Sequence, residues 1–334
     1  ASKGRTLVAL DAMGGDNAPA ETVQGALMAV RETDVEVALV GQPEVLEPEV
    51  ARQSHGSPPP LVRVVPASEV VGMHEPPAQA VRQKRHSSIS EALRLVKTGR
   101  ASAMVSAGNT GAVVASALWM LGRLGGIERP ALSAYFPAGR HGVLALDVGA
   151  NADCKPSYLV QFAHMGSIYM QRVHAVKRPR VGLLSIGEEE GKGNALTREV
   201  YDRLQRSPLN FVGNVEGKEV MSGEVEVLVS DGFTGNVAVK MCEGMAEFMF
   251  RELREAVRGR LRYRLGALLM VEALRGMRRR LDYAEYGGVP LLGVDGVVII
   301  CHGRSHAQAI KNAIRTAKEA AASGMLEAIQ ADLK

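Results

Sequence analysis

The chain is poor in cysteine and in aromatic rings. Its 334 residues include three cysteines, Cys154, Cys242 and Cys301. The count is odd and no two are close in sequence, which argues against a disulfide framework or a zinc–cysteine cluster. Aromatic residues make up 4% of the chain, too few for a surface that stacks nucleobases. No apolar run reaches the ~18 residues of a membrane span, and no secretory leader is legible. The expectation is a cytoplasmic protein that does not cross a bilayer.

What the chain does have is apolar sequence cut by glycine. Hydrophobic residues are 46% of the total and there are 36 glycines, which suits a buried sheet with many tight turns. The net charge of +4 is unevenly spread. Residues 251–280 hold ten arginines and three glutamates, a local +7, so the remainder is −3. No nucleic-acid-binding motif accompanies the arginines, so a basic helical face is expected and no nucleic acid partner.

Short apolar runs at 6–10, 35–40, 61–65, 103–106, 132–136, 143–146, 181–186, 211–215, 225–229 and 297–301 read as strands. Helical patterns lie between them at 19–31, 90–97, 112–123, 156–176, 195–205, 237–258 and 305–322. The alternation predicts a parallel sheet with helices on both faces. Ser88-Ile89-Ser90-Glu91 has the form of a capping box, and Gly99 a helix stop. Residues 55–60, His-Gly-Ser-Pro-Pro-Pro, read as a surface linker. There is no internal repeat.

In such a sheet, ligands bind beyond the carboxyl ends of the strands, so the polar loops there carry the functional expectations. The most informative is Gly187-Glu188-Glu189-Glu190-Gly191-Lys192-Gly193-Asn194 after an apolar strand. Its spacing is one residue short of a nucleotide P-loop, and Gly193 stands where Ser or Thr would hold magnesium. Three glutamates would repel a triphosphate, so Lys192 with Gly193 and Asn194 suits a small anion better. Ser106-Ala107-Gly108-Asn109-Thr110-Gly111 opens an apolar helix. Gly108, Asn109 and Thr110 offer an anion close backbone approach and a side-chain donor; the alternative is an ordinary turn capped by Thr110.

Arg82, Lys84 and Arg85 precede another helix and could attract a phosphate, and a solvated basic loop explains them nearly as well. Asp11 and Asp16 bracket the glycines of Asp11-Ala12-Met13-Gly14-Gly15-Asp16 and read either as loop organisers or as site residues. Asp147-Val148-Gly149-Ala150-Asn151 and Asp231-Gly232-Phe233-Thr234-Gly235-Asn236 each end a strand. Asn151 would face a strand-end cleft, and Asn236 could donate to an oxyanion. Asp231 could orient Lys192 or accept a proton, and capping alone would explain both loops as well. Lys155 beside Cys154 would lower a thiol pKa, but no base accompanies any of the cysteines.

Taken in order, the loops 11–16, 106–111, 147–151, 186–194, 211–217, 231–236 and 292–305 resemble those of the bacterial phosphate acyltransferases of phospholipid synthesis, the PlsX family. The resemblance runs from about residue 6 to about residue 320. Arg304 departs from it, standing where a small polar residue is expected. The resemblance implies a single catalytic domain, a three-layer α/β/α sandwich similar to phosphotransacetylases and isocitrate/isopropylmalate dehydrogenases. It implies transfer of a long-chain acyl group from acyl carrier protein to inorganic phosphate, without metal, nicotinamide or other cofactor. It also implies a homodimer, peripheral contact with an anionic membrane, and a downstream glycerol-3-phosphate acyltransferase. Lys192, Asn236 and Asp231 become the expected catalytic residues. Competing readings are a short-chain phosphotransacetylase, a non-catalytic lipid-binding scaffold and a decarboxylating dehydrogenase.

Residues 259–281 carry two apolar stripes at helical spacing: Leu261, Leu265, Leu268 and Leu269, and nearly opposite them Met270, Leu274, Met277 and Leu281. One continuous helix with two such stripes needs two partners, unless Gly266 or Gly276 breaks it. One stripe can pack on the body or on a second subunit and the other, flanked by arginines, on an anionic membrane surface; the alternative buries both in a dimer.

Overall fold

The structure is a computed structural model. It describes residues 5–281 and 287–333, and within these the side chains of Leu261 and 278–281 are not described. Among the described residues the strands form one 11-stranded sheet in the order β3-β2-β1-β4-β11-β10-β5-β6-β9-β7-β8. The first half is built from β1 (Thr6–Asp11), β2 (Val35–Gly41), β3 (Val62–Pro66), β4 (Ala103–Ser106) and β11 (Val298–Ile300). All five are parallel. The second half, β6 (Val143–Leu146), β7 (Arg180–Ser185), β8 (Asn210–Glu216) and β9 (Val227–Val229), is parallel within itself.

The halves run in opposite directions. The join is β10 (Val289–Leu292), antiparallel to β11, and β5 (Ala131–Phe136), antiparallel to both β10 and β6. The expectation of a parallel sheet therefore holds within each half and fails at the join. The short β10, Val-Pro-Leu-Leu, was not legible because proline removes a ladder donor and the run is only four residues long.

Strand periodicity separates the two faces. Val8 and Leu10 of β1 enter one core, and Leu7 and Ala9 the other. The first face is covered by α1 (Ala20–Glu32), α2 (Pro43–Gln53), α6 (Pro156–Arg172), α7 (Ala195–Gln205), α11 (Ala307–Ala322) and α12 (Met325–Asp332). On the other lie α3 (Pro77–Gln83), α4 (Ser88–Lys97) and α5 (Thr110–Met120). There, too, the start of α8 (Gly232–Arg258) packs through Val239 and Cys242. Three layers result, as expected. Two caps differ from the sequence reading. Ser87, not Ser88, caps α4 by accepting from the Ser90 N–H, and Asn109, not Thr110, caps α5 by accepting from the Ala112 N–H at 3.1 Å.

Residues 259–281 are not one helix. They form α9 (Leu261–Leu269) and α10 (Val271–Leu281), broken at Met270 between the two expected stripes and at neither glycine. Each stripe then belongs to its own helix. Leu265, Leu268 and Leu269 are exposed, Leu269 at 89%, whereas Leu274 turns inward to a cleft. The second outward-facing stripe is instead on α8, where Phe233, Val237, Met241, Met245 and Phe248 are exposed at spacings of three and four.

Candidate active site

Two groups of loops sit at the carboxyl ends of the two half-sheets. In the first, Ser106 at the end of β4 donates its hydroxyl to Asp11 Oδ2 at the end of β1 (2.6 Å). Asp11 is fully buried, its Oδ1 has no hydrogen-bond partner among the described residues, and burial pushes its pKa up. It has no surface to offer a ligand. A Cβ on Gly14 would stand 2.3 Å from Asp11 Oδ2 and 2.8 Å from the Gly108 nitrogen, so the carboxyl lies sealed beneath both glycines. The loop after β11 joins this group through the Asp16 N–H, which donates to the Gly303 carbonyl (2.8 Å).

In the second group Asp147 is the hub. Its Oδ1 accepts from the N–H groups of Leu132, Gly149 and Ala150, and its Oδ2 from the backbone and side chain of Asn151. Burial pushes the carboxyl up, while these donors pull it down by favouring the charged form. Asn151 also donates to the Pro130 carbonyl (2.7 Å). The first turns of α8 press against this loop. A Cβ on Gly235 would lie 1.9 Å from the Asp147 carbonyl oxygen, and one on Gly232 would lie 2.5 Å from the Asn151 carbonyl oxygen. Only glycine permits that approach. Asp231 caps α8 by accepting from the backbone and hydroxyl of Thr234, and Asn236 donates from Nδ2 to the Val148 carbonyl (3.0 Å).

The two groups meet at a cleft of about 1340 Å³ that follows β5. Thr110, Gly111 and His302 enter its wall from the first half, and Val148, Gly149 and Asn236 from the second. The N–H groups of Thr110 and Gly111 precede the first intrahelical bond of α5, from the Val113 N–H to the Asn109 carbonyl, so they are the open amides of a helix N-terminus. The Arg304 N–H donates to His302 Nδ1 (3.1 Å), which leaves the neutral ring's proton on Nε2. Burial is the main cause that lowers the His302 pKa, so the neutral ring is favoured.

Away from these polar groups the wall is largely apolar, interrupted on α8 by Lys240, Glu243 and Glu247. Val239, Ala246, Phe250, Leu253 and Val257 line it at spacings of three, four and seven from α8, with Ala267, Val271 and Leu274 from α9 and α10. Arg251, Arg254, Arg258 and Arg275 are also on the cleft, and all four are exposed.

The family of the chain follows from comparison with known proteins. A family model described as "Fatty acid synthesis protein" matches residues 6–328. A phosphate acyltransferase of Heliobacterium modesticaldum is 52% identical over 323 residues, covering 97% of this chain and 96% of that protein. One from Desulfitobacterium hafniense strain Y51 is 51% identical over 327 residues, covering 98% and 97%. The chain belongs to the phosphate acyltransferase family. Its fold is shared with solved phosphotransacetylases. One from Streptococcus pyogenes aligns with a TM-score of 0.63 at 16% identity, covering 95% of this chain and 94% of that one. A branched-chain phosphotransacylase of Enterococcus faecalis aligns with a TM-score of 0.61 at 15% identity, covering 95% and 99%.

Of the residues singled out from sequence, Thr110 and Asn236 share the wall of the cleft, and Leu274 joins them unexpectedly. Gly108 lies just outside the wall, packed on Asp11. Asn109 is not a free donor: its Nδ2 is spent on the carbonyls of Gly72, Met73 and Glu75. Lys84 pairs with Glu75 and donates to the Val70 carbonyl, so it ties down the same segment. Arg82 lies exposed in the last turn of α3.

Lys192 is elsewhere. It is exposed on the loop after β7, two strands from β6, and among the described residues it has no ion-pair partner. Gly193 has φ +104° and a Cβ there would collide with Thr197 Oγ1, while Asn194 caps α7 by accepting from the Thr197 N–H (2.9 Å). Both shape the loop that carries Lys192. The thiols are unlike nucleophiles. Cys154 is pushed up to about 11, chiefly by burial and despite Lys155, and Cys301 to about 12. Sequence reasoning missed His302 as a cleft residue and the whole apolar wall of α8; spacing of Val239, Ala246, Phe250, Leu253 and Val257 was the available signal.

Proposed function

We propose that this enzyme moves a long-chain acyl group from a carrier-protein thioester to inorganic phosphate, giving an acyl phosphate. The observation that carries the reading is the cleft itself. It joins open helix N-terminal amides and two side-chain donors to a long apolar wall. A phosphate dianion suits the N–H groups of Thr110 and Gly111, where the α5 dipole favours negative charge. A phosphate oxygen attacks the thioester carbonyl carbon, the C–O bond forms, and the tetrahedral oxyanion collapses with loss of the C–S bond. The thiolate then takes a proton from water. Asn236 has a second N–H beyond the one given to Val148, and with that it supplies a donor for the oxyanion, His302 lying on the opposite wall of the cleft. Lys192, exposed on the loop after β7 and outside the cleft wall, serves as a longer-range source of positive charge for phosphate, and Asp231 holds the start of α8. The role in phospholipid synthesis follows from the product, since an acyl phosphate is an activated donor for a glycerol-3-phosphate acyltransferase.

The exposed stripe on α8 supports pairing with a second copy, and the exposed leucines of α9 support contact with an anionic membrane. Among the described residues no helix is long and apolar enough to cross one. Incubation with palmitoyl-carrier protein and phosphate, with hydroxylamine to trap acyl phosphate, tests the reaction. Formation of palmitoyl hydroxamate only when phosphate is present is the expected result. Turnover of acetyl-coenzyme A and not of the palmitoyl donor would favour a short-chain phosphotransacetylase instead.

A further inference from the structure

We infer that the arginines along the cleft are the docking surface for an acidic carrier domain. The inference rests on the thioester reading above and adds to it where the donor protein binds. Arg251, Arg254 and Arg258 are spaced by three and four residues, so they form one row on α8, about 10 Å long at 1.5 Å per residue. Arg275 joins them from α10. Between these arginines the same side of α8 presents Phe250, Leu253 and Val257 to the cleft. A charged row thus borders an apolar slot.

Among the described residues little of this charge is paired. Arg251 has Glu252 at 3.8 Å, but among the described residues neither Arg254 nor Arg258 has a carboxylate within ion-pair distance. Exposed guanidinium groups in a row bind carboxylates or phosphates on a partner. The apolar slot beside them takes the acyl chain, so the partner that brings the chain must stand over the row. A protein that carries an acyl group on a tether, with carboxylates beside the attachment point, fits both features. A lipid surface would fit less well. The exposed leucines suited to it, Leu265, Leu268 and Leu269, are on α9, and the arginine row is on the cleft side of α8.

The test uses the full chain and the double variant Arg254→Glu with Arg258→Glu. Binding of fluorescently labelled carrier protein, followed by anisotropy, should weaken at least ~10-fold in the variant. In the wild type it should weaken steeply with salt. Turnover of the same acyl group on a small thiol, N-acetylcysteamine, should fall far less than turnover on the carrier. Carrier binding that is unaltered by the charge reversal refutes the docking surface. So does an equal loss with the carrier and with the small thioester, because the arginines would then serve the cleft alone. Loss of binding to phosphatidylglycerol vesicles with carrier binding intact would make the row a lipid surface and also overturn the inference. The binding measurement needs no turnover, so a wild type that binds carrier but transfers no acyl group to phosphate would count against the proposed reaction and not against the row.

Discussion

Ala246→Trp should shorten the acyl chain that the enzyme accepts. Ala246 lies on the apolar wall between Cys242 and Phe250, ten residues beyond Asn236 along α8. Ten residues of helix span about 15 Å. An indole there meets only carbons remote from the thioester. The cleft of about 1340 Å³ is open around Ala246, so the larger side chain enters space without overpacking the core. If the indole displaces roughly four methylenes, the loss is about 3 kcal/mol at ~0.8 kcal/mol per buried CH₂. That corresponds to roughly 200-fold in kcat/KM for a palmitoyl donor. A butyryl donor, whose chain does not reach Ala246, should be turned over as by the wild type. The assay is acyl hydroxamate formation with palmitoyl, octanoyl and butyryl thioesters at saturating phosphate. Equal losses for palmitoyl and butyryl would mean that the wall of α8 does not hold the chain. So would an unchanged palmitoyl rate in a protein of unchanged melting temperature.

The remaining predictions address the ends of the site and its support. Lys192→Ala should lower turnover by on the order of 10²-fold, as removal of one electrostatic donor does, with a higher KM for phosphate; near-normal kinetics would remove Lys192 from the mechanism. Gly235→Ala puts a Cβ 1.9 Å from the Asp147 carbonyl oxygen, so α8 must shift. A stability loss of about 1–3 kcal/mol should accompany loss of turnover, and wild-type melting and rate would contradict the packing of α8 on that loop. Asp231→Ala removes an N-cap and should cost about 1 kcal/mol. Asn236→Ala should reduce turnover far more than stability, and the reverse result would make Asn236 a structural tie to Val148 alone. Burial raises the Asp11 pKa above its unfolded value of about 3.9, so its stabilising contribution is complete below that pH and is lost as pH rises through the folded value. Asp11→Asn does not titrate, and the melting temperature of the wild type minus that of the variant should fall as the pH rises above about 4. A difference that stays flat would show that Asp11 does not take up a proton on folding.

The sequence made the strands legible wherever they are continuous apolar runs, and the strand-end loops with them. Thr110 and Asn236 were readable because each lies at a helix start after such a run. The antiparallel join was not, because β10 has a proline and few residues, and direction in a sheet leaves no mark on hydrophobic pattern. The engagement of Asn109, Lys84 and Asn151 was not legible either. Their partners, the carbonyls of Gly72, Met73, Glu75, Val70 and Pro130, are remote in sequence or set by loop path. Glycine gave a partial signal. Gly232 and Gly235 flank Phe233 and Thr234 as any turn might, and only the packing shows that both are there for the Asp147 loop. The break at Met270 has no proline or glycine at the position to announce it.

The antiparallel join gives the site its form. Ligands gather at the carboxyl ends of parallel strands, and here the two half-sheets point their carboxyl ends in opposite directions. A sheet of one direction would put every such loop on one edge. With β10 and β5 reversed between the halves, a groove along β5 begins near the end of β11 and finishes near the end of β6. Each half can then furnish one wall: α5 amides and His302 from the first, Asn236 and the Asp147 loop from the second. The proposed direct transfer to phosphate needs an anion site and a thioester site side by side. Holding them on separate half-sheets lets one be preformed without crowding the other. α8 is fixed at its glycine-rich start and continues for 27 residues, with only Gly232 and Gly235 buried. It spans from Asn236 to the arginine row, so under the proposed reaction acyl chain, thioester and carrier would all be held along one helix.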